Sequence, residues 1–118
     1  MYVIIVGCEL IGARIAKELA DLGNDVVVIE RNESKLESLS GDFNGMILHG
    51  IEFDQDNLVQ AGIEKADIIL ALTDDDNLNI TVSLVATKVF NVNRVISQVV
   101  DPSRRYLYEL LDIESFCP

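Results

Sequence analysis

Two kinds of hydrophobic pattern alternate along this chain. Solid apolar runs rich in valine and isoleucine occupy residues 2–6, 25–30, 67–72 and 94–100, with a shorter one at 46–49. A run without polar alternation suits a strand buried on both faces, as in a parallel sheet. Between the runs lie segments whose apolar residues return every three or four positions, as in amphipathic helices. In residues 10–22, Ile11, Ile15, Leu19 and Leu22 share one face, Arg14, Lys17, Glu18 and Asp21 make the wet face, and Gly23 supplies a C-terminal cap. Asn32 caps a short helix that turns Leu36 and Leu39 inward, and a polar, glycine-bearing loop follows at 40–45. A brief helix at 57–61 stops at Gly62.

The next helix starts at the aspartate run 74–76 and reaches Phe90. Its apolar positions, Leu78, Ile80, Val82, Leu84, Val85, Val89 and Phe90, cover more than the single stripe needed against a sheet. The excess calls for a second buried face, either a subunit contact or deep burial within the chain's own fold. Asp101 and Pro102 open the last helix as cap and first residue, with Leu107, Leu110 and Leu111 as its stripe. The alternation predicts an α/β fold: a doubly wound, Rossmann-like three-layer structure with a mostly parallel sheet. Right-handed crossovers and the glycine-bearing turn after the first strand favour the strand order 3-2-1-4-5, with room for a sixth strand, 113–116, beside the fifth. Ligands of such sheets bind outside the carboxyl ends of the strands, at the switch between strands one and four. Those ends are residues 7–12, Glu30, residues 49–51, residues 73–76 and Gln98.

The turn after the first strand carries the chemistry. Gly7 and Gly12 hold the first and third glycine positions of a dinucleotide fingerprint, with Cys8, Leu10 and Ile11 between them, but the second position is Glu9. That glycine normally lets the backbone approach a pyrophosphate. A carboxylate about 5 Å from a phosphate charge repels it by roughly 3 kcal/mol at an effective dielectric near 20, about a hundredfold in affinity. An outward swing of Glu9, or a cation such as Arg14 one turn into the helix, would relieve this. Glu30 stands where an acid accepts hydrogen bonds from both ribose hydroxyls of an adenosine, or is simply a solvated strand end. Adjacent Arg31 leaves a 2′-phosphorylated ribose open. Thr73 can bond a ribose or phosphate, or cap its own turn.

Composition narrows the picture. The 118 residues suffice for one domain, 1–118, with a real core. Nine basic against 20 acidic residues, a net charge of −11, argue against nucleic acid and anionic membrane surfaces as partners. Two distant cysteines, Cys8 and Cys117, fit a reducing cytoplasm, and the N-terminus reads as a core strand rather than a signal peptide. Direct membrane insertion is not expected, since no apolar run nears ~18 residues. Residues 74–76 offer three carboxylates without a wider cage of ligands, so helix capping accounts for them better than a metal. With no nucleophile placed by motif and a lone His49, no catalytic residue is expected.

At this point the chain resembles the nucleotide-binding domain of the regulators of potassium conductance, the RCK, KTN or Trk-type domains. The carrying segments are V-I-I-V-G-C-E-L-I-G-A-R-I-A-K-E-L, D-V-V-V-I-E-R, L-V-Q-A-G-I-E-K-A-D-I-I-L-A-L-T-D-D-D-N-L-N and R-V-I-S-Q-V-V-D-P. The stretch from A-G-I-E-K-A-D to T-D-D-D separates this family from ordinary dehydrogenases. The resemblance implies a cytoplasmic regulatory subunit of a potassium uptake or channel system, held at the inner face of the membrane through its transporter partner. It implies homo- or hetero-oligomers of such domains, and NAD(H) or AMP, ADP or ATP bound as an effector without hydride transfer. By position it assigns the ligand to Gly7, Gly12, Glu30, Thr73 and Asn79, and the surrounding site to Cys8, Glu9, Leu10, Ile11, Arg31, Gly50, Ile51 and Asp74. Three departures fall on the ligand side: Glu9 for glycine, Ile51 for the usual aspartate after Gly50, and Gln98 for a frequent arginine. Together they point to a changed or lost ligand on a kept fold, as in a divergent subunit that pairs with an intact one. Many members continue into a second ligand lobe; a natural single domain and a shortened chain both fit an end at Pro118. Two alternatives stay open: the cofactor half of an NAD-dependent dehydrogenase, and a ligand-free structural subunit.

Overall fold

The computed structural model describes residues 1–39 and 41–118; the expected loop at 40–45 therefore begins, at Ser40, outside the described residues. The strands are β1 (Tyr2–Val6), β2 (Asp25–Glu30), β3 (Met46–His49), β4 (Ile68–Ala71), β5 (Arg94–Gln98) and β6 (Glu114–Phe116). The helices are α1 (Leu10–Asp21), α2 (Glu33–Leu36), α3 (Gln55–Ala61), α4 (Asp76–Leu84) and α5 (Arg105–Leu110). All strand pairs are parallel, in the order β3-β2-β1-β4-β5-β6. This is the expected doubly wound arrangement, and the sixth strand is real.

The apolar runs are two-faced, as their lack of alternation requires. On β1, Val3 and Ile5 point toward α1, together with Val26 and Val28 of β2 and Ile68 of β4. Ile4 and Val6 point the other way, with Val27, Ile29 and Ile69, under α3 and α4. β1 lies between β2 and β4, with Val3 in register with Val26 and Ile68, so both faces of the central strand are dry.

Two helices settle at a phase that their large residues did not indicate. The buried face of α1 is Gly12, Ala13, Ala16 and Ala20. Ile11, Ile15 and Leu19 pack only from the flank, and Leu22 is exposed. Small residues let the helix axis approach the sheet closely, and the bulky ones then fill the sides. In α5, the expected leucine stripe is mostly wet: Leu110 and Leu111 are exposed, and the buried residue is Tyr108. A tyrosine buries more area than a leucine, and its hydroxyl has a partner inside. The broad apolar girth of α4 is explained within the chain. Val82 and Ala86 face the sheet. Ile80 and Leu84 face a separate cluster of Val99, Tyr108 and Ile113 beneath α5. The α4 helix passes into a five-residue π-helical segment, Val85–Val89, before ending at Phe90.

Candidate functional site

The carboxyl ends of β1, β2 and β4 open into a cleft of about 470 Å³. The glycine turn reaches it through Glu9. Gly7 has φ +101°, and a Cβ there would stand 2.8 Å from the Thr73 amide nitrogen and 2.9 Å from the Leu72 carbonyl oxygen. A Cβ on Gly12 would meet the Gly7 carbonyl oxygen at 2.5 Å. Both glycines are thus demanded by packing: Gly7 seats the end of β1 on the end of β4, and Gly12 seats α1 on the turn.

Glu30 closes the turn from the β2 side. Its carboxylate accepts hydrogen bonds from the Cys8 amide at 2.8 Å and the Asn32 amide at 3.0 Å, and the residue is 3% exposed. Each oxygen keeps lone-pair capacity toward the cleft that it lines. Arg31, next in sequence, turns away to a residue the sequence reading passed over. Its Nε lies 2.7 Å from Oε1 of Glu52, which is 2% exposed, and its guanidinium lies 5.8 Å from the centre of the Phe53 ring. The family's missing aspartate at Ile51 therefore has a neighbour that turns inward instead: Ile51 is exposed, and the buried acid sits one position later.

Glu9 stands at the N-cap position of α1, yet its side chain makes no capping bond. It is paired with the Lys35 ammonium, whose Nζ also lies 3.7 Å from Asp74 Oδ2. Lys35 belongs to α2, Glu9 to the β1–α1 turn and Asp74 to the β4–α4 loop, so one ammonium joins three elements across the mouth of the cleft. The hydrogen bond to Glu9 holds the Lys35 pKa above its ordinary value, against the opposing effect of burial. The expected partner Arg14 lies elsewhere, in an exposed i, i+4 pair with Glu18 at 3.5 Å. Helix phase decides this, because Arg14 projects along the wet face of α1 while the turn faces α2.

The β4 end is built around a buried amide. Asn79 is fully buried; its Oδ1 accepts from the Thr73 amide at 2.9 Å and the Thr73 hydroxyl at 2.7 Å, and its Nδ2 donates to the Thr73 and Gln98 carbonyls. Asn79 therefore shapes the site by fixing Thr73 rather than by facing the cleft. The aspartate run divides into three roles. Asp74 lines the cleft. Asp75 caps α4, accepting from the Asn77 amide at 2.8 Å. Asp76 turns inward, accepting from the Val100 amide at 2.8 Å, the Asp101 amide at 2.9 Å and the Tyr108 hydroxyl at 2.6 Å. Among the described residues no group of His, Cys, Asp or Glu is placed to hold a metal ion.

Of the residues singled out in the sequence, Glu9, Glu30, Arg31, Thr73 and Asp74 line the cleft together. Gly7, Cys8 and Gly12 lie buried in the turn, while Leu10 and Ile51 are exposed. Ile11 packs on the α1 side of the core, and Gly50 follows β3, its amide donating to the Glu30 carbonyl at 3.1 Å. Sequence reasoning missed Lys35, Glu52 and Phe53, all of which line the cleft. The only local signal for Lys35 is its place in the first turn after the Asn32 cap, on the side facing the glycine turn. Nothing local distinguishes Glu52 from a solvated loop acid. Burial pushes the Cys8 thiol up, against the lowering effect of its contact with Ser38, and the carboxylates of Glu30 and Glu9 add to the rise.

Fold and site define a Rossmann-like domain with a polar cleft at the switch point of its sheet. The family model of the TrkA-N domain matches residues 3–117, and the chain belongs to that family, as its segments led us to expect. It is 38% identical over 113 residues to the Trk system potassium uptake protein TrkA of Streptomyces coelicolor, covering 96% of this chain and 51% of that protein. The chain thus spans about half the length of the curated relatives it matches. Among solved structures, the Kef CTD of Shewanella denitrificans in its AMP-bound form superposes with a TM-score of 0.86 at 18% identity, covering 100% of this chain and 72% of that one. The GsuK channel bound to NAD gives 0.80 at 20% identity, covering 97% and 21%. At these identities the structural likeness is one of fold. No helix among the described residues is long and apolar enough to cross a membrane.

Proposed function

We propose that this chain is the nucleotide-sensing domain of a cytoplasmic regulator of potassium uptake, and that its cleft takes an adenine nucleotide as an effector rather than as a substrate. On this reading residues 1–118 act as one Rossmann-like unit, assemble with like domains, and transmit ligand occupancy to a membrane transporter subunit. The observation that carries the reading is Glu30. Its buried carboxylate is anchored by two backbone amides at the end of β2, on the wall of a cleft at the switch point. There it can accept both hydroxyls of an adenosine ribose. The family membership and the nucleotide-bound structures of like fold support the same ligand class. Gly7, Cys8 and Gly12 shape the turn beneath the ligand, Glu9 and Asp74 border its phosphate end, and Thr73 lies beside its ribose.

The test is a thermal-shift and calorimetric panel with AMP, ADP, ATP, NAD⁺ and NADH. A ligand that binds only the folded state raises the melting temperature once its concentration exceeds its dissociation constant. The expected result is saturable binding of at least one nucleotide, lost in Glu30→Ala. No response to any of them at millimolar concentration overturns the reading. A ligand-free structural subunit is the second reading, favoured by one observation: a carboxylate, Glu9, stands over the α1 N-terminus where a phosphate would be received. An oligomer mass insensitive to every nucleotide would support it.

A further inference from the structure

The charges at the mouth of the cleft are arranged around one lysine. Two cations line the cleft, Arg31 and Lys35. Arg31 is bonded to the buried Glu52 carboxylate at 2.7 Å. Lys35 is held between Glu9 and Asp74, with both Lys35 and Glu9 about a third exposed. Both side chains thus reach solvent in part, while the Glu9 oxygen that meets the ammonium is enclosed. Glu9 meanwhile stands at the one position of the turn where a side chain obstructs a pyrophosphate.

We propose that the Glu9–Lys35 pair is an exchangeable clasp that makes the cleft selective for a nucleoside monophosphate. The proposal rests on the nucleotide reading above and specifies its ligand. A single terminal phosphate is tied at one end only. It turns toward α2, draws Lys35 from Glu9 and Asp74, and is neutralised there. A pyrophosphate joined to a second nucleoside is tied at both ends and must run over the turn, where Glu9 stands. The β-phosphate of a diphosphate adds negative charge beside Glu9 and Asp74 without a second cation to meet it. A like charge at about 5 Å, at an effective dielectric near 20, lowers affinity by about a hundredfold. Lys35 thus serves as the ligand's counter-ion, and Glu9 as the filter that keeps it for one phosphate.

Calorimetric titration of adenosine, AMP, ADP and NAD⁺ into this chain and into Glu9→Gln, Glu9→Gly and Lys35→Met tests the arrangement. The wild type is expected to bind AMP at least tenfold more tightly than ADP or NAD⁺. Glu9→Gly should improve ADP and NAD⁺ by tenfold to a hundredfold while changing AMP much less. Glu9→Gln, which removes charge but keeps bulk, should recover ADP more than NAD⁺. Lys35→Met should weaken AMP at least tenfold and leave adenosine unchanged. Melting temperatures of the free variants establish that each is folded. An unchanged ligand order in Glu9→Gly, or wild-type AMP affinity in Lys35→Met, overturns the clasp while leaving the nucleotide site standing. Failure of every ligand to bind even Glu9→Gly overturns the nucleotide reading, and the clasp with it.

Discussion

The Tyr108 hydroxyl donates a 2.6 Å hydrogen bond to Oδ1 of Asp76, joining the last helix to the first residue of α4 inside the protein. The same carboxylate accepts the amides of Val100 and Asp101, so a single side chain organises the loop after β5. Removing the hydroxyl in Tyr108→Phe deprives a charged acceptor of a partner, and should cost about 2 kcal/mol in urea unfolding. Asp76→Ala leaves the Val100 and Asp101 amides without their acceptor, the Tyr108 hydroxyl keeping the Gln98 carbonyl at 3.0 Å, and should cost about 3 kcal/mol. An effect below about 0.5 kcal/mol for either would show the knot to be incidental.

The same carboxylate gives an acid-dependent signature. Burial pushes the Asp76 carboxyl up, but the Tyr108 hydroxyl and the Val100 and Asp101 amides, helped by Arg104, outweigh it and hold its pKa below the ordinary value. A folded-state pKa below the unfolded value stabilises the fold above the unfolded value, about 3.9, and that stability is lost as pH falls through the folded one. The melting temperature should therefore drop below about pH 4. Asp76→Asn should start less stable at neutral pH and show a shallower acid slope.

Gly7 combines a left-handed backbone with close contact to neighbouring backbone. Gly7→Ala places a Cβ at φ +101° and 2.8 Å from the Thr73 nitrogen. The conformational penalty alone is about 1–2 kcal/mol, and the contact with backbone adds to it. A loss of at least 2 kcal/mol is expected, read as a fall in melting temperature of roughly 8 °C or more. Gly23→Ala makes the control, since its φ is +95° but nothing lies within 4 Å of the added Cβ. It should lose only the conformational part.

On the nucleotide reading proposed above, the pair with Glu52 holds Arg31 back from the 2′-phosphate of NADP⁺. The wild type should accordingly show no preference for NADP⁺ over NAD⁺ in a binding panel. Glu52→Gln releases the guanidinium and should shift the NADP⁺ to NAD⁺ affinity ratio upward by about tenfold, the scale of a charge-assisted contact of 1.4 kcal/mol. An unmoved ratio would mean that Arg31 does not face the ribose.

Cys8 is buried in the glycine turn and Cys117 is exposed. Titration of the native chain with a thiol reagent should report one fast group, Cys117, and a second only on unfolding. Fast reaction of both would contradict the packed turn.

The periodicities determined the order of elements, and right-handed connections together with the glycine turn after the first strand turned that order into a 3-2-1-4-5 sheet with a place for the sixth strand. Solid apolar runs have one stable destination, a strand covered on both faces. The glycine turn and the acid at the end of β2 were legible for the same reason: a tight strand-to-helix turn restricts its residue types locally. Family-specific segments added the expectation of a nucleotide ligand. What only the tertiary structure decided is which side chains meet. Asn79 was assigned to the ligand by position, but it bonds Thr73 and Gln98 because α4 lies over the ends of β4 and β5. Glu9 pairs with Lys35 rather than Arg14, and Arg31 with Glu52, across separations of 26 and 21 residues. Asp76 and Tyr108 meet across 32 residues. Local pattern fixes the course of the backbone and the burial of the central strands, but not the phase of α1 and α5. The pairing of charges depends on where separate elements come to rest, and a charge buried or half-buried there takes whichever partner that packing brings within reach.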